Sequence, residues 1–303
     1  MSEPVLLDVD PGCDDAVLLA FMLAHDDADV VGVTTVAGNT TLENTTRNAL
    51  SILDHFDRTD VPVARGCHRP LVDELELAEW VHGPDGLRGD LPESTADPVE
   101  THAAEFIVEQ AHAYGDELTI AAVGPQTNLA VALAIEPDLP DLVGEIYQMG
   151  GAAMTAGNTT PMAEFNFYND PAAASRVAQC AFPRMVGLDA TDSASIPAST
   201  IEEFRNAGDP LAAVGAWLDY PDEIVRDGSI NIHDAAVGVD IVENVLTFED
   251  YYVEIDTSGG PSHGAVICDE RGVLDEPANV RVAVDIDTER FRDVLLEALW
   301  SLQ

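Results

Sequence analysis

The sequence predicts an α/β fold: an open, mainly parallel sheet with helices on both faces. Three observations predict it. Strand and helix signals alternate, the rhythm of consecutive βαβ units. The runs Val5-Leu6-Leu7-Asp8-Val9 and Val30-Val31-Gly32-Val33-Thr34-Thr35-Val36 read as buried strands, the second rich in β-branched residues. The chain has 303 residues, 46% of them hydrophobic, and a domain of that size buries roughly 75% of the surface its unfolded chain exposes. Residues 1–303 are expected to form a single domain, because no repeat, low-complexity tract or linker interrupts them. Length alone would also permit two.

The elements follow in order. A strand over 5–9 leads to a helix over 14–24, with apolar residues at helical spacing. The second strand covers 30–36. A helix follows over 42–56, capped by Thr41 with Asn44 three residues on. Residues 62–64 make a short strand before a loop. Helix 99–114, strand 118–123 and helix 127–135 come next. Strand 145–149 ends in Gly150-Gly151, and helix 171–179 precedes strand 184–188. In such sheets ligands bind outside the carboxyl ends of the strands. Asp10, Asn39, Val123 and the Gly150-Gly151 loop all stand there.

Charge narrows the function classes. There are 56 acidic residues against 13 basic ones, a formal net charge of -43, and every basic residue is Arg. A disordered acidic chain would be poor in apolar residues, so this charge belongs on a folded surface. Such a surface repels itself unless salt screens it, and the screening length falls to about 3 Å in molar salt. The acids are spread along the chain rather than gathered in a tail. The expectation is therefore adaptation to a salty cytoplasm, as in halophilic archaea, ahead of a carrier of cations or a partner of basic proteins. Nucleic-acid binding is not expected, since phosphate contacts need Lys and Arg. Cys13, Cys67, Cys180 and Cys268 are scattered and form no CxxC pair, which suggests neither a zinc site nor a disulfide framework. No basic region followed by an apolar stretch opens the chain, and no apolar run approaches the ~18 residues of a membrane span. A soluble, cytoplasmic protein is expected.

Asp8, Asp10, Asp14 and Asp15 fall within eight residues. Asp10 ends a strand, Pro11-Gly12 turns, and Asp14 and Asp15 open a helix. Several carboxylates thus converge above the sheet. Unpaired they would repel, and one would take up a proton. A hard divalent cation such as Ca²⁺ or Mg²⁺ resolves the conflict. Asp14 and Asp15 could instead merely complement the helix dipole, but that leaves Asp10 unexplained. Asp8-Val9-Asp10 also loosely fits the Asp-x-Asp loop of Mg²⁺-dependent phosphatases, with Gly12 where that loop needs Thr or Val.

Further along, Asn158, Glu164 and Asn166 mix donors and acceptors, with Phe165 and Phe167 interleaved. Such groups can grip adjacent sugar hydroxyls while an aromatic packs against a ring. An ordinary loop is the plainer reading of these residues alone. His233-Asp234 could place a proton donor beside a metal ligand, though locally it reads more simply as a helix start. His82 lies in the Gly-rich loop 81–89.

Taken together, these residues resemble the inosine-uridine preferring nucleoside hydrolase family along nearly the whole chain. Its opening Asp-x-Asp-Pro-Gly-x-Asp-Asp-Ala runs from Asp8 to Ala16, and its Gly-Asn is Gly38-Asn39. Its His-Gly loop runs from His82 to Leu87, its Gly-Pro turn from Gly124 to Ala130, and its Met-Gly-Gly-Ala from Met149 to Ala152. Its Gly-Asn…Glu-Phe-Asn spans Gly157 to Asn166, Asn169-Asp170-Pro171 follows, and its late His-Asp is His233-Asp234.

The resemblance implies hydrolysis of the N-glycosidic bond of ribonucleosides to ribose and free base. It implies a bound Ca²⁺ held by Asp10, Asp15, the Val123 carbonyl and Asp234. Asp14, Asn39, Met149, Asn158, Glu164, Phe165 and Asn166 would hold the nucleoside, chiefly its ribose. Asp10 would be the general base for a Ca²⁺-bound water, His233 would protonate or polarise the leaving base, and His82 would lie near it. Homodimers or homotetramers are usual for the family. Three departures stand out. Gln126 replaces the usual Leu and is expected to pack near the metal carbonyl. Ala235 replaces the usual Pro. Residues 217–227, expected at the base pocket, match no subgroup. A Ca²⁺-dependent nucleoside or ribose binder without catalysis, and the phosphatase, stand as the alternatives.

Overall fold

The computed structural model describes residues 2–221, 223–225 and 227–303. Among the described residues twelve strands occur in this order: β1 (Glu3–Val9), β2 (Ala28–Thr35), β3 (Val63–Arg65), β4 (Thr119–Ala122), β5 (Glu145–Met149), β6 (Arg184–Val186), β7 (Ser195–Pro197), β8 (Ser229–Asn231), β9 (Leu246–Tyr251), β10 (Val253–Ile255), β11 (Val266–Cys268) and β12 (Val280–Ile286). Eight of them form one sheet in the order β3-β2-β1-β4-β5-β6-β12-β9. All neighbours in it are parallel except the edge pair β12 and β9. The chain steps from β1 out to β2 and β3, then returns to lay β4 on the other side of β1. That reversal leaves a crevice beyond the carboxyl ends of β1 and β4, where ligands bind in such sheets.

The helices are α1 (Cys13–Ala24), α2 (Leu42–His55), α3 (Glu79–His82), α4 (Ala103–Tyr114), α5 (Thr127–Ile135), α6 (Leu139–Leu142), α7 (Phe165–Asn169), α8 (Pro171–Ala181), α9 (Leu188–Thr191), α10 (Ala198–Arg205), α11 (Leu211–Trp217), α12 (His233–Glu243) and α13 (Thr288–Trp300). Side-chain alternation along β1 sorts them into layers. Val5, Leu7 and Val9 face a core built with α1, α2, α11, α12 and α13. Leu6 faces the opposite core, with α4, α5, α6 and α8. A third cluster joins Phe167 and Met185 to the β10–β11 hairpin. Helix α1 is enclosed on nearly all sides: every residue from Asp15 to Met22 is buried. The crevice therefore rests on a helix that cannot shift without disturbing the core.

Most expected elements lie within one or two residues of their observed bounds, the usual scatter of helix and strand ends. Thr41 caps α2 by accepting the Asn44 N–H at 3.4 Å. Two expectations fail. The helix expected over 99–114 begins at Ala103, because Val99 bridges to Ala64 and the His102 ring takes the Ala104 N–H as cap. The strand expected over 184–188 stops at Val186, since Leu188 already opens α9. Among the described residues no helix is long and apolar enough to cross a membrane.

Candidate active site

The turn from β1 into α1 is organised by Asp15. Its carboxylate accepts the Asp10 N–H at 3.1 Å, the Gly12 N–H at 2.9 Å and the Asn39 side-chain amide at 3.1 Å. It thereby satisfies donors that a helix start leaves open. Asp10 projects from the same turn. Its Oδ2 accepts the Asn39 N–H at 2.6 Å. A Cβ at Gly38 would collide with that oxygen, and one at Gly124 would lie 2.7 Å from Oδ1. Two bare backbone segments thus close around the carboxylate and fix it.

Asp14, Asp15 and Asp234 bring carboxylate oxygens within 4.8 Å of one another. Asp234 arrives from the first turn of α12, whose dipole favours an acid there. Burial, and then Asp15, push the Asp10 carboxyl well above its ordinary range. Burial, and then Asp14, do the same to Asp234. Burial and Asp15 raise Asp14 to about 7. Burial also raises Asp15, against the hydrogen bonds that stabilise its ionised form. Among the described residues no Arg pairs with any of the four. The donor set is hard oxygen throughout and lacks positive charge. It fits a divalent cation of the Ca²⁺ or Mg²⁺ kind.

A cavity of about 230 Å³ opens over this cluster. Asp10, Asp14, Val123 and Asp234 line it, and Asp15 sits behind them, fully buried. Asn39, Met149, Asn158, Glu164, Phe165 and Asn166 line its walls. Glu164 caps α7, accepting the Asn166 N–H at 2.8 Å, the Gly151 N–H at 2.9 Å and the Phe167 N–H at 3.1 Å. Burial nonetheless lifts its carboxyl to about 7. The Asn166 side-chain amide donates to the Val123 carbonyl at 2.6 Å and to the Met149 carbonyl at 3.3 Å. Asn158 is the exposed member, at the mouth. Phe165 lines the cavity, whereas Phe167 turns into the third core cluster.

His82 and His233 line the same cavity. His82 is buried at the end of α3, and its Nδ1 accepts the Cys13 N–H at 3.0 Å. Burial, then Arg88 and His233, push its pKa down to about 3. The ring is therefore neutral, with its proton on Nε2. His233 begins α12, and its Nδ1 lies 2.9 Å from the Thr191 hydroxyl at the end of α9.

The residues singled out from the sequence for this site thus line the cavity, apart from Asp15, Phe167 and Asp8, whose buried carboxylate instead accepts the Thr34 hydroxyl at 2.6 Å and the Asn128 side-chain amide at 2.8 Å. Trp80, Asp192, Tyr220, Glu223 and Ile224 also line it, and of these Trp80 and Asp192 were missed by sequence reasoning. Tyr220, Glu223 and Ile224 belong to the segment flagged for the base pocket, of which residues 222 and 226 lie outside the described residues. Trp217 of that segment is buried in the core against His55 and Phe56 instead. Thr191 gave no signal, because only tertiary packing brings it to His233. Gln126, expected simply to pack, donates hydrogen bonds to main-chain carbonyls.

The family described as inosine-uridine preferring nucleoside hydrolase matches residues 5–293. The pyrimidine-specific ribonucleoside hydrolase of Shigella boydii serotype 4 is 39% identical over 308 residues, covering 99% of both chains. That of Escherichia coli O8 is equally similar. Among solved structures, a plant nucleoside hydrolase superposes with a TM-score of 0.91 at 32% identity, over 99% of both chains. A purine-preferring ribonucleoside hydrolase from Gardnerella vaginalis gives 0.92 at 28% identity, again over 99% of both. The chain belongs to the inosine-uridine preferring nucleoside hydrolase family and is a ribonucleoside hydrolase.

Proposed function

We propose that the chain cleaves the N-glycosidic bond of pyrimidine ribonucleosides, with Asp10 as the general base that activates water. The observation that carries this reading is the placement of Asp10. It is a buried carboxylate boxed by Gly38 and Gly124, oriented by Asn39, in one cavity with His82 and His233. Asp10, Asp15, the Val123 carbonyl and Asp234 would hold Ca²⁺, with Asp14 beside them. When bound, the cation would make water at the site more acidic and neutralise the carboxylate cluster.

The chain's own groups supply the rest. Asp10 takes the proton of the attacking water at hydrogen-bond distance. Asn39, Asn158 and Asn166 hold the ribose hydroxyls, and Phe165 and Met149 line the sugar's walls. The bond from C1′ to the base nitrogen breaks with oxocarbenium character, as in glycoside hydrolysis. Asp14 and Glu164, when ionised, stabilise that positive charge. His233 donates a proton to the departing base. His82, neutral with its proton on Nε2, polarises the base by hydrogen bonding and carries no proton away. Support for the pyrimidine class comes from the names of the relatives at 39% identity.

The test is a panel of uridine, cytidine, inosine and adenosine in molar KCl with Ca²⁺, read as reducing ribose. The proposal expects sustained turnover, fastest with uridine or cytidine, and loss of turnover on chelation. Tight nucleoside binding without ribose release would make the protein a binder. Faster turnover of inosine would overturn the pyrimidine assignment.

A further inference from the structure

The geometry points to Gln126 as a positioning residue that aims the Val123 carbonyl into the cation site. This rests on the reading that Val123 supplies a ligand there. Gln126 is fully buried. Its side-chain amide donates to the Gly124 carbonyl at 2.8 Å and to the Met149 carbonyl at 3.2 Å, with the Ala122 carbonyl at 3.4 Å. Two hydrogens serve these acceptors, so the Gly124 and Met149 bonds carry the grip.

The acceptors flank Val123 on both sides in the chain and bind it to the neighbouring strand. The chain leaves β4 at Ala122 and bends at Gly124, and the hold on the Gly124 and Met149 carbonyls fixes that bend, whose Val123 lines the cavity. From the cavity side the Asn166 amide grips Val123 and the same Met149 carbonyl. Two amide clamps thus meet at the ends of β4 and β5, one from each direction. A Leu at position 126 could fill the space and could hold neither carbonyl.

Two further observations separate this role from simple packing. Gln126 occupies the N-cap position of α5, yet its side chain makes no capping bond. Its amide oxygen is buried with no hydrogen-bond partner among the described residues. Among the described residues the hydrogen bonds of this side chain are thus the ones its amide group donates to main-chain carbonyls at the site.

Gln126→Leu and Gln126→Met, both apolar and of similar volume, test the assignment. The readouts are Ca²⁺ affinity by calorimetry in molar KCl, the unfolding midpoint without Ca²⁺, and the Ca²⁺ dependence of uridine turnover. Supporting groups of this kind set metal affinity, so both variants are expected to bind Ca²⁺ roughly tenfold more weakly. Their cation-free midpoints should fall only modestly, by what the loss of the Gly124 carbonyl's donor accounts for, and raised Ca²⁺ should recover turnover. Ca²⁺ affinity within about twofold of wild type in both variants would overturn the role. So would cation-free midpoints that fall in step with affinity, since Gln126 would then support only the fold. Wild-type protein that binds no Ca²⁺ would overturn the underlying reading as well, which distinguishes the two failures.

Discussion

Glu164 shows how one residue carries both a structural and a chemical load. Three backbone N–H groups hold its carboxylate, while burial raises its pKa to about 7 from an ordinary 4.5. Between those values the folded chain holds a proton that the unfolded chain has lost. The contribution of this group to stability is therefore fully present below about pH 4.5 and declines as pH rises toward 7. Glu164→Gln should flatten that part of the stability–pH curve by up to a few kcal/mol, read by urea unfolding at pH 5 and pH 7.5. A second prediction concerns the leaving group. His233→Ala should slow uridine about a hundredfold or more, and slow a riboside with a nitrophenolate leaving group much less. Equal losses on the two substrates would remove His233 from leaving-group chemistry. Both residues were legible in the sequence because each sits in a motif with fixed neighbours. Thr191 was not, since nothing local marks a hydroxyl that packing alone delivers.

At the scale of elements, α12 must hold His233 and Asp234 at its start while its far end is tied down. Asp240 supplies the tie. Its carboxylate accepts the Tyr147 hydroxyl at 2.9 Å and the Leu246 N–H at 2.7 Å. Arg184 approaches Asp240 and pairs with Glu145, which Arg281 also meets, and its guanidinium lies over Tyr147 and Phe248. Strands β5, β6 and β9 are thus linked to α12 through one buried carboxylate. Asp240→Ala should destabilise the fold by about 2–4 kcal/mol, because it strands a buried hydroxyl and a backbone N–H. Thermal unfolding measures it. A loss below about 0.5 kcal/mol would show that α12 is held by apolar packing alone.

The first six strands of the sheet and the long helices between them were legible because each is a continuous apolar run or an amphipathic repeat. Beyond residue 188, sequence reasoning assigned only the helix start at His233. There β7, β8, β10 and β11 are no shorter than β3 and β6, but they form antiparallel pairs outside the strand–helix alternation that located those two. Strand β9 alternates half-buried and exposed positions at a sheet edge, where the apolar signal is weak. The false start of α4 has the same root: Val99 is apolar enough for a helix, but its bridge to Ala64 is a tertiary contact.

On the scale of the whole molecule, the charge of -43 and the cluster at the site obey the same rule in different settings. On the surface, self-repulsion is relieved by mobile ions. In the crevice it is relieved by proton uptake or by the divalent cation that the donor set fits. The unfolding midpoint should rise by roughly 10 °C or more between 0.1 and 2 M KCl, as the screening length shrinks from ~10 Å to below ~3 Å. A midpoint indifferent to KCl would show that the acidic surface imposes no penalty on the fold. The candidate site as a whole was more legible than the fold around it, because Asp10, Asn39, Glu164 and His233 are fixed by short motifs. Distances and protonation were not: that His82 is neutral follows only from its burial and from the Cys13 N–H on its Nδ1.

The central claim is that Asp10 takes the proton from the attacking water. The most direct measurement is the turnover of uridine by Asp10→Ala in molar KCl at saturating Ca²⁺, with far-UV circular dichroism to confirm the fold. General-base catalysis contributes about 10²–10⁴-fold, so the variant is expected to lose at least about a thousandfold in kcat once ligand loss is added. A folded variant that retains uridine turnover within about tenfold of wild type would contradict the account.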